Sequence, residues 1–174
     1  ELFFDNFPGL IVGITGTKGK GTTATLIYQA LKQAKMPVFL GGNIGQPVFQ
    51  YLLKGKPTDI FIYELSSHQL AGLKKSPQIA VFLNLFPDHL DYYKNLQEYK
   101  KAKTAICKYQ TKNDFFIYNS KDKTAVELTK SSSGEKIAFD KIPLEVKMKL
   151  KGDFNLLNAK AAFVVARLFR VGEE

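Results

Sequence analysis

Leu10-Ile11-Val12-Gly13-Ile14-Thr15-Gly16-Thr17-Lys18-Gly19-Lys20-Gly21-Thr22-Thr23-Ala24-Thr25 is the stretch that decides the fold. The apolar run 10–14 reads as a buried strand, and Leu26, Ile27, Ala30, Leu31 and Ala34 beyond it have helical spacing. Between them lies a glycine-rich turn, residues 16–21, that contains Lys20. Strand, glycine loop with a lysine, then helix is the order in which a chain cradles a polyphosphate. Glycines let backbone N–H groups close on the anion, the helix N-terminus adds partial positive charge, and the lysine neutralises phosphate oxygens. A hydroxyl just beyond, Thr22 ahead of Thr23, would hold Mg²⁺. The general G-x-x-x-x-G-K-[ST] pattern is broken twice. Ile14 stands at its first glycine, flanked by Gly13 and Gly16, and Gly21 stands directly after the lysine where Ser or Thr belongs. A glycine-rich turn that binds nothing has a similar composition; the three elements in order favour phosphate binding.

The bulk properties fit one soluble domain: 174 residues, 45% hydrophobic and 24% charged. No apolar run approaches the roughly 20 residues that span a bilayer, so no membrane association is expected. The chain opens Glu-Leu-Phe-Phe-Asp without a basic leader, and its single Cys107 has no partner for an internal disulfide. Both features suit the cytoplasm. A net charge of +9 calls for an anionic partner or a solubility role. The lysines are scattered and do not interleave with aromatics, so surface lysine around a nucleotide pocket is preferred and no nucleic-acid partner is expected.

Residues 1–9, ending in Pro8-Gly9, read as a lead-in outside the core. A short strand at 38–40 follows the first helix, then the irregular Gly41-Gly42-Asn43-Ile44-Gly45 and a short helix opened by Pro47. Residues 60–65 form a second core strand with Glu64 at its end, and Ser66-Ser67-His68-Gln69 leads away from it. Residues 78–85 are a near-continuous apolar strand with Pro87-Asp88-His89-Leu90-Asp91 as its exit. A helix is expected at 96–109 and a strand at 115–118; residues 119–136 look peripheral, and 137–150 suggest a hairpin-like region. Gly152-Asp153-Phe154-Asn155 introduces a last helix, 156–168. Alternating strands and helices define an α/β, doubly wound domain with a mostly parallel sheet and a phosphate-binding loop. In such sheets ligands sit beyond the carboxyl ends of the strands, where the glycine loop, Glu64, Asp88 and His89 fall.

Other polar residues admit two readings. A carboxylate at a buried strand end costs free energy unless paired or metal-bound, so Glu64 is either a Mg²⁺ partner or salt-bridged. Asp88-His89 suits a metal, or a loop hydrogen bond. Capping accounts for Asn155 but not for Asn158. Lys103 reads as one more solvated lysine.

Six segments occur in a telling order: residues 14–23, Gly41-Gly42-Asn43-Ile44-Gly45, Glu64-Leu65-Ser66-Ser67-His68-Gln69-Leu70, Asp88-His89-Leu90-Asp91, Tyr99-Lys100-Lys101-Ala102-Lys103 and Asn155-Leu156-Leu157-Asn158-Ala159. Together they resemble the central, ATP-binding domain of the Mur ligases, over nearly the whole chain. Gly-Gly-Asn-Ile-Gly and Glu-Leu-Ser-Ser-x-Gln-Leu resemble the members that add D-glutamate to UDP-N-acetylmuramoyl-L-alanine. The resemblance implies an ATP-dependent ligase of peptidoglycan synthesis, in which ATP phosphorylates a carboxylate and an amine displaces phosphate from the acyl phosphate. It implies a cytoplasmic monomer that uses ATP and Mg²⁺, a UDP-N-acetylmuramoyl-peptide and an amino acid.

Residue by residue, the resemblance implies that Gly16, Thr17, Lys18, Gly19, Lys20, Gly21, Thr22 and Thr23 hold the phosphates, with Asn155 and Asn158 near the adenine. Thr22 and Glu64 would serve the nucleotide-bound Mg²⁺, and His89 with a carbamylated Lys103 a second one. Lys20, His89 and Lys103 would be the catalytic groups, and Asn43, Ser66 and Gln69 would contact the muramoyl substrate. Lys20-Gly21-Thr22 is closer to the folylpolyglutamate synthases, whereas His68 and the run from Asp88 to Tyr93 lean towards the ligase that adds the diamino acid. Family members have an N-terminal UDP-binding domain and a C-terminal amino-acid-binding domain. The chain therefore reads as one central domain, 1–174, with residues 1–8 the tail of the first domain and the third absent. Ligation by the chain alone is not expected, and a stand-alone nucleotide-binding module remains the reading from another class.

Overall fold

A computed structural model describes residues 1–45, 47–87, 92–144 and 152–172. Six strands form a wholly parallel sheet: β1 (Leu10–Thr15), β2 (Val38–Gly42), β3 (Ile60–Glu64), β4 (Ile79–Phe82), β5 (Phe115–Tyr118) and β6 (Glu135–Ala138), in the order β2-β3-β1-β4-β5-β6. Along each strand successive side chains point to opposite faces. Val12 and Ile14, Ile60 and Ile62, Ile79 and Val81, and Ile117 meet Ala24, Ile27 and Leu31 of α2 (Lys20–Gln33) and Ala161 and Val165 of α6 (Asp153–Leu168). Ile11, Phe61, Tyr63, Phe82 and Phe116 face the other way, against α3 (Ser67–Leu70), α4 (Leu96–Lys108) and α5 (Lys123–Leu128). With helices on both faces β3 and β4 are buried throughout and β1 in all but its first residue, which is why they read as continuous apolar runs.

Three expectations are corrected. Residues 1–9 are no bare lead-in: Leu2–Asn6 form α1, with Phe3 and Phe7 buried. The Phe3 ring lies 5.1 Å from that of Phe7 and 4.6 Å from that of Phe61, because β3 presents Phe61 and Tyr63 to a face that needs an apolar cover. The stretch 119–136 holds α5 and the start of the sixth strand, rather than peripheral chain. No hairpin begins at 137: β6 pairs in parallel with β5 and ends at Ala138 in a 3-10 turn, Phe139–Lys141. Residues 145–150 of that expectation lie outside the described residues.

β1 sits inside the sheet, with β3 on one side and β4 on the other. After β1 the chain goes out to β2, returns to β3 and then crosses to β4, so the exits of β1, β3 and β4 converge beyond one edge of the sheet. This is the topological switch point where open α/β sheets take ligands.

Candidate active site

β1 delivers its exit loop to that point. The loop turns through Gly19 at φ 88°, which caps α2 without a side chain. A Cβ there would be strained by that φ and would lie 2.3 Å from Asn158 Oδ1, forcing the Asn158 side chain to move. The amides of Lys20, Gly21 and Thr22 meet no backbone carbonyl among the described residues, and the first bond of the helix start runs from Thr23 N to Gly19 O at 2.9 Å. Unpaired amides and the positive end of a 14-residue helix together suit an anion. Lys20 folds over its own loop, Nζ donating to the carbonyls of Gly16 at 3.1 Å and Thr17 at 3.0 Å.

Asn84, just past β4, was not singled out by the sequence, yet it braces this loop. Its Oδ1 accepts from the amides of Thr17 at 3.1 Å and Lys18 at 3.0 Å, and its Nδ2 donates to Lys18 O at 3.0 Å. Those two amides are thereby already engaged, whereas among the described residues those of Lys20, Gly21 and Thr22 are not. An asparagine directly after an apolar strand was the available signal. Thr17 Oγ1 ties the loop to Phe86, accepting from its amide at 3.0 Å.

Lys103 is the sharpest correction to the residue-level reading. It is 1% exposed, not solvated. From α4 its Nζ donates to Thr15 Oγ1 at 3.2 Å and to Gly16 O at 3.1 Å, and it lies 5.0 Å from the centre of the Tyr99 ring. Residues four apart share a helix face, and Tyr99 is equally buried. Lys20 and Lys103 thus converge on one carbonyl, that of Gly16.

Glu64 is 3% exposed. Its Oε1 is 3.4 Å from Asn43 Nδ2, and its Oε2 has no hydrogen-bond partner among the described residues. A buried carboxylate oxygen in this state suits a cation. Thr22 is half-buried and Thr23 fully buried, its Oγ1 also unpartnered. Ser66 and Gln69 form a capping box on α3: Gln69 N donates to Ser66 Oγ at 3.2 Å, and Ser66 N to Gln69 Oε1 at 2.9 Å. That leaves the Gln69 amide nitrogen for other contacts.

The cap of α6 falls on Gly152, so capping does not explain Asn155. Asn158, buried against Gly19, borders a hollow of about 170 Å³ that Asn84, Phe86, Asn119 and Phe154 also line. His89, with Asp88 and Asp91, lies outside the described residues. Among the described residues no group of three His, Cys, Asp or Glu gathers, and no helix is long and apolar enough to cross a membrane.

These features place the chain among the open, parallel α/β domains that carry a lysine-bearing glycine loop at the switch point of the sheet, faced by a buried carboxylate. Within that class the chain belongs to the Mur ligase middle-domain family, whose model matches residues 14–139. It is 35% identical to the UDP-N-acetylmuramoylalanine--D-glutamate ligase of Clostridium botulinum strain Kyoto, across 94% of this chain and 40% of that protein. It is 40% identical to the protein of the same name from Acetivibrio thermocellus, across 88% of this chain and 33% of that one. The chain thus spans two-fifths or less of these two relatives. Among solved structures, a UDP-N-acetylmuramoyl-L-alanyl-D-glutamate--2,6-diaminopimelate ligase superposes with a TM-score of 0.73 at 21% identity, covering 93% of this chain and 44% of that one. The MurF ligase of Thermotoga maritima, solved with ADP, gives 0.71 at 21% identity, covering 97% and 47%. These two establish the fold.

Proposed function

We propose that this chain is the ATP-binding central domain of a cytoplasmic, monomeric ligase that joins D-glutamate to UDP-N-acetylmuramoyl-L-alanine. The observation that carries the reading is the pairing of Lys20, on a loop with unpaired amides, with the unpartnered Oε2 of buried Glu64. The names of the relatives supply the substrates. The loop binds the ATP phosphates through the amides of Lys20, Gly21 and Thr22. Lys20 leaves the Gly16 and Thr17 carbonyls for phosphate oxygens and stabilises charge on the transferring phosphoryl group. The hollow beside Asn158 takes the base, with Phe154 at its edge and Asn155 one turn away.

Glu64 fits Mg²⁺, a cation that prefers oxygen ligands, and bound there the ion would neutralise phosphate charge. Lys103 and His89 belong to a second metal position in this reading. A carbamate on Lys103 would present anionic oxygens, and its nitrogen keeps one N–H for Thr15 Oγ1 or Gly16 O, its acceptors among the described residues. Asn43, Ser66 and Gln69, at the exits of β2 and β3, face the muramoyl peptide. The sites for the uridine diphosphate and for the incoming amino acid lie in parts of the ligase that this chain does not span. Without them the reactants are not aligned, and this chain alone shows no ligation.

Calorimetric titration of the chain with ATP and Mg²⁺ tests the reading. Lys20→Ala is expected to weaken binding at least tenfold, because it removes the charge-assisted hydrogen bonds that Lys20 makes to the phosphates. Equal affinity in both proteins would reduce the loop to a turn.

A further inference from the structure

Gly21, the second residue of α2, stands opposite the unpartnered oxygen of Glu64. A Cβ built on Gly21 would have Glu64 Oε2 at 3.4 Å and Ile44 Cγ2 at 3.8 Å, both ordinary contacts, so there is room for a side chain. A hydroxyl on that Cβ, one bond further out, would come within hydrogen-bonding reach of the carboxylate. The neighbouring hydroxyls do not take its place. Successive helical residues are rotated by about 100°, so Thr22 and Thr23 project in other directions. Thr23 Oγ1 is sealed in the core without a partner, and neither hydroxyl bonds to Glu64 among the described residues.

We infer that the residue directly after Lys20 gives the cation of this site no side-chain hydroxyl: Gly21 leaves room beside Glu64 Oε2, and a water would complete the ion's ligands in its place. The inference rests on the phosphate-binding reading and concerns how the cation of that site is held. Mg²⁺ keeps several waters in most protein sites, so a ligand set of Glu64, nucleotide oxygens and water is chemically complete. The expected consequences are one more exchangeable water on the metal and a weaker grip on it than a hydroxyl-bearing loop would give. Gly21→Ser places a hydroxyl there, in a helical position whose backbone suits any residue.

The test replaces Mg²⁺ with Mn²⁺ in the ADP complex of the full chain. Inner-sphere waters are counted from the broadening of the Mn²⁺ resonance in ¹⁷O-enriched water, and Mn²⁺ affinity is titrated alongside. Gly21→Ser is expected to lose one water and to bind Mn²⁺ several-fold more tightly, while Thr22→Val keeps the wild-type water count. An unchanged count in Gly21→Ser would overturn the inference by showing that position 21 does not face the ion, and one extra water in Thr22→Val would overturn it by making Thr22 the ligand. If the wild-type chain binds ADP but Glu64→Gln leaves Mn²⁺ affinity unaltered, the inference falls while phosphate binding stands. No ADP binding at all would overturn both.

Discussion

Gly19 packs directly under the Asn158 side chain: a Cβ on Gly19 would sit 2.3 Å from Asn158 Oδ1 and 3.1 Å from its Cγ, so that side chain would have to move. One residue caps α2 and the other lies on α6, so the contact fixes the last helix against the loop that starts the first crossover. The nucleotide-binding loop and the hollow beside it are therefore one unit, and a disturbance at Gly19 reaches both.

Gly19→Ala is accordingly expected to destabilise the chain on two counts. The left-handed backbone at φ 88° costs a residue with a Cβ about 1–2 kcal/mol, and the clash with Asn158 adds to that. Urea unfolding separates the two. Gly19→Ala combined with Asn158→Ala should recover the clash but retain the backbone cost. Full recovery in the double variant would show that the backbone carries no strain.

Lys103 distinguishes a buried functional lysine from a surface one through stability alone. Lys103→Met keeps much of the apolar stem but withdraws a donor from Thr15 Oγ1 and Gly16 O, with an expected loss of about 1–3 kcal/mol. Lys103→Ala adds a cavity and should cost about 2–5 kcal/mol. A solvated lysine would give changes within about 0.5 kcal/mol. Thermal or urea denaturation of the two variants decides the matter, and near-neutral values for both would contradict the burial.

Cys107 gives a pH dependence. Burial pushes its thiol up from 9.0 to about 12, with Lys136 opposing weakly. The thiolate is the reactive form, so the native thiol should label with a disulfide reagent at pH 8 far more slowly than in urea. Because the folded value is raised, the stabilisation is complete below about pH 9 and is lost as the pH rises towards 12. Over that window it amounts to about 4 kcal/mol. Fast native labelling at pH 8, with the chain still folded, would refute the assignment.

The sequence by itself determined what is local. A run of β-branched and apolar residues makes β1, the glycines with Lys20 make the loop, and period 3.6 makes α2, because each depends on neighbours within a few positions. Strands 60–64, 79–82 and 115–118 were legible for the same reason, as were the α/β class and the parallel sheet. Glu64 stood out as a carboxylate at the end of a buried strand, whereas roles for Asn158 and Lys103 came only from the resemblance carried by the six ordered motifs. Tertiary structure decided what depends on distant partners. Whether residues 1–9 join the core turns on the aromatic face of β3, and β6 exists because β5 offers an unpaired edge. The burial of Lys103 comes from Thr15 and Gly16 on another element, and the role of Asn84 from amides that β1 delivers beside it. Helical spacing shows that Tyr99 and Lys103 share a face, but not which face meets the sheet. That choice is made when the two layers pack, and it buries Lys103 against Thr15 and Gly16.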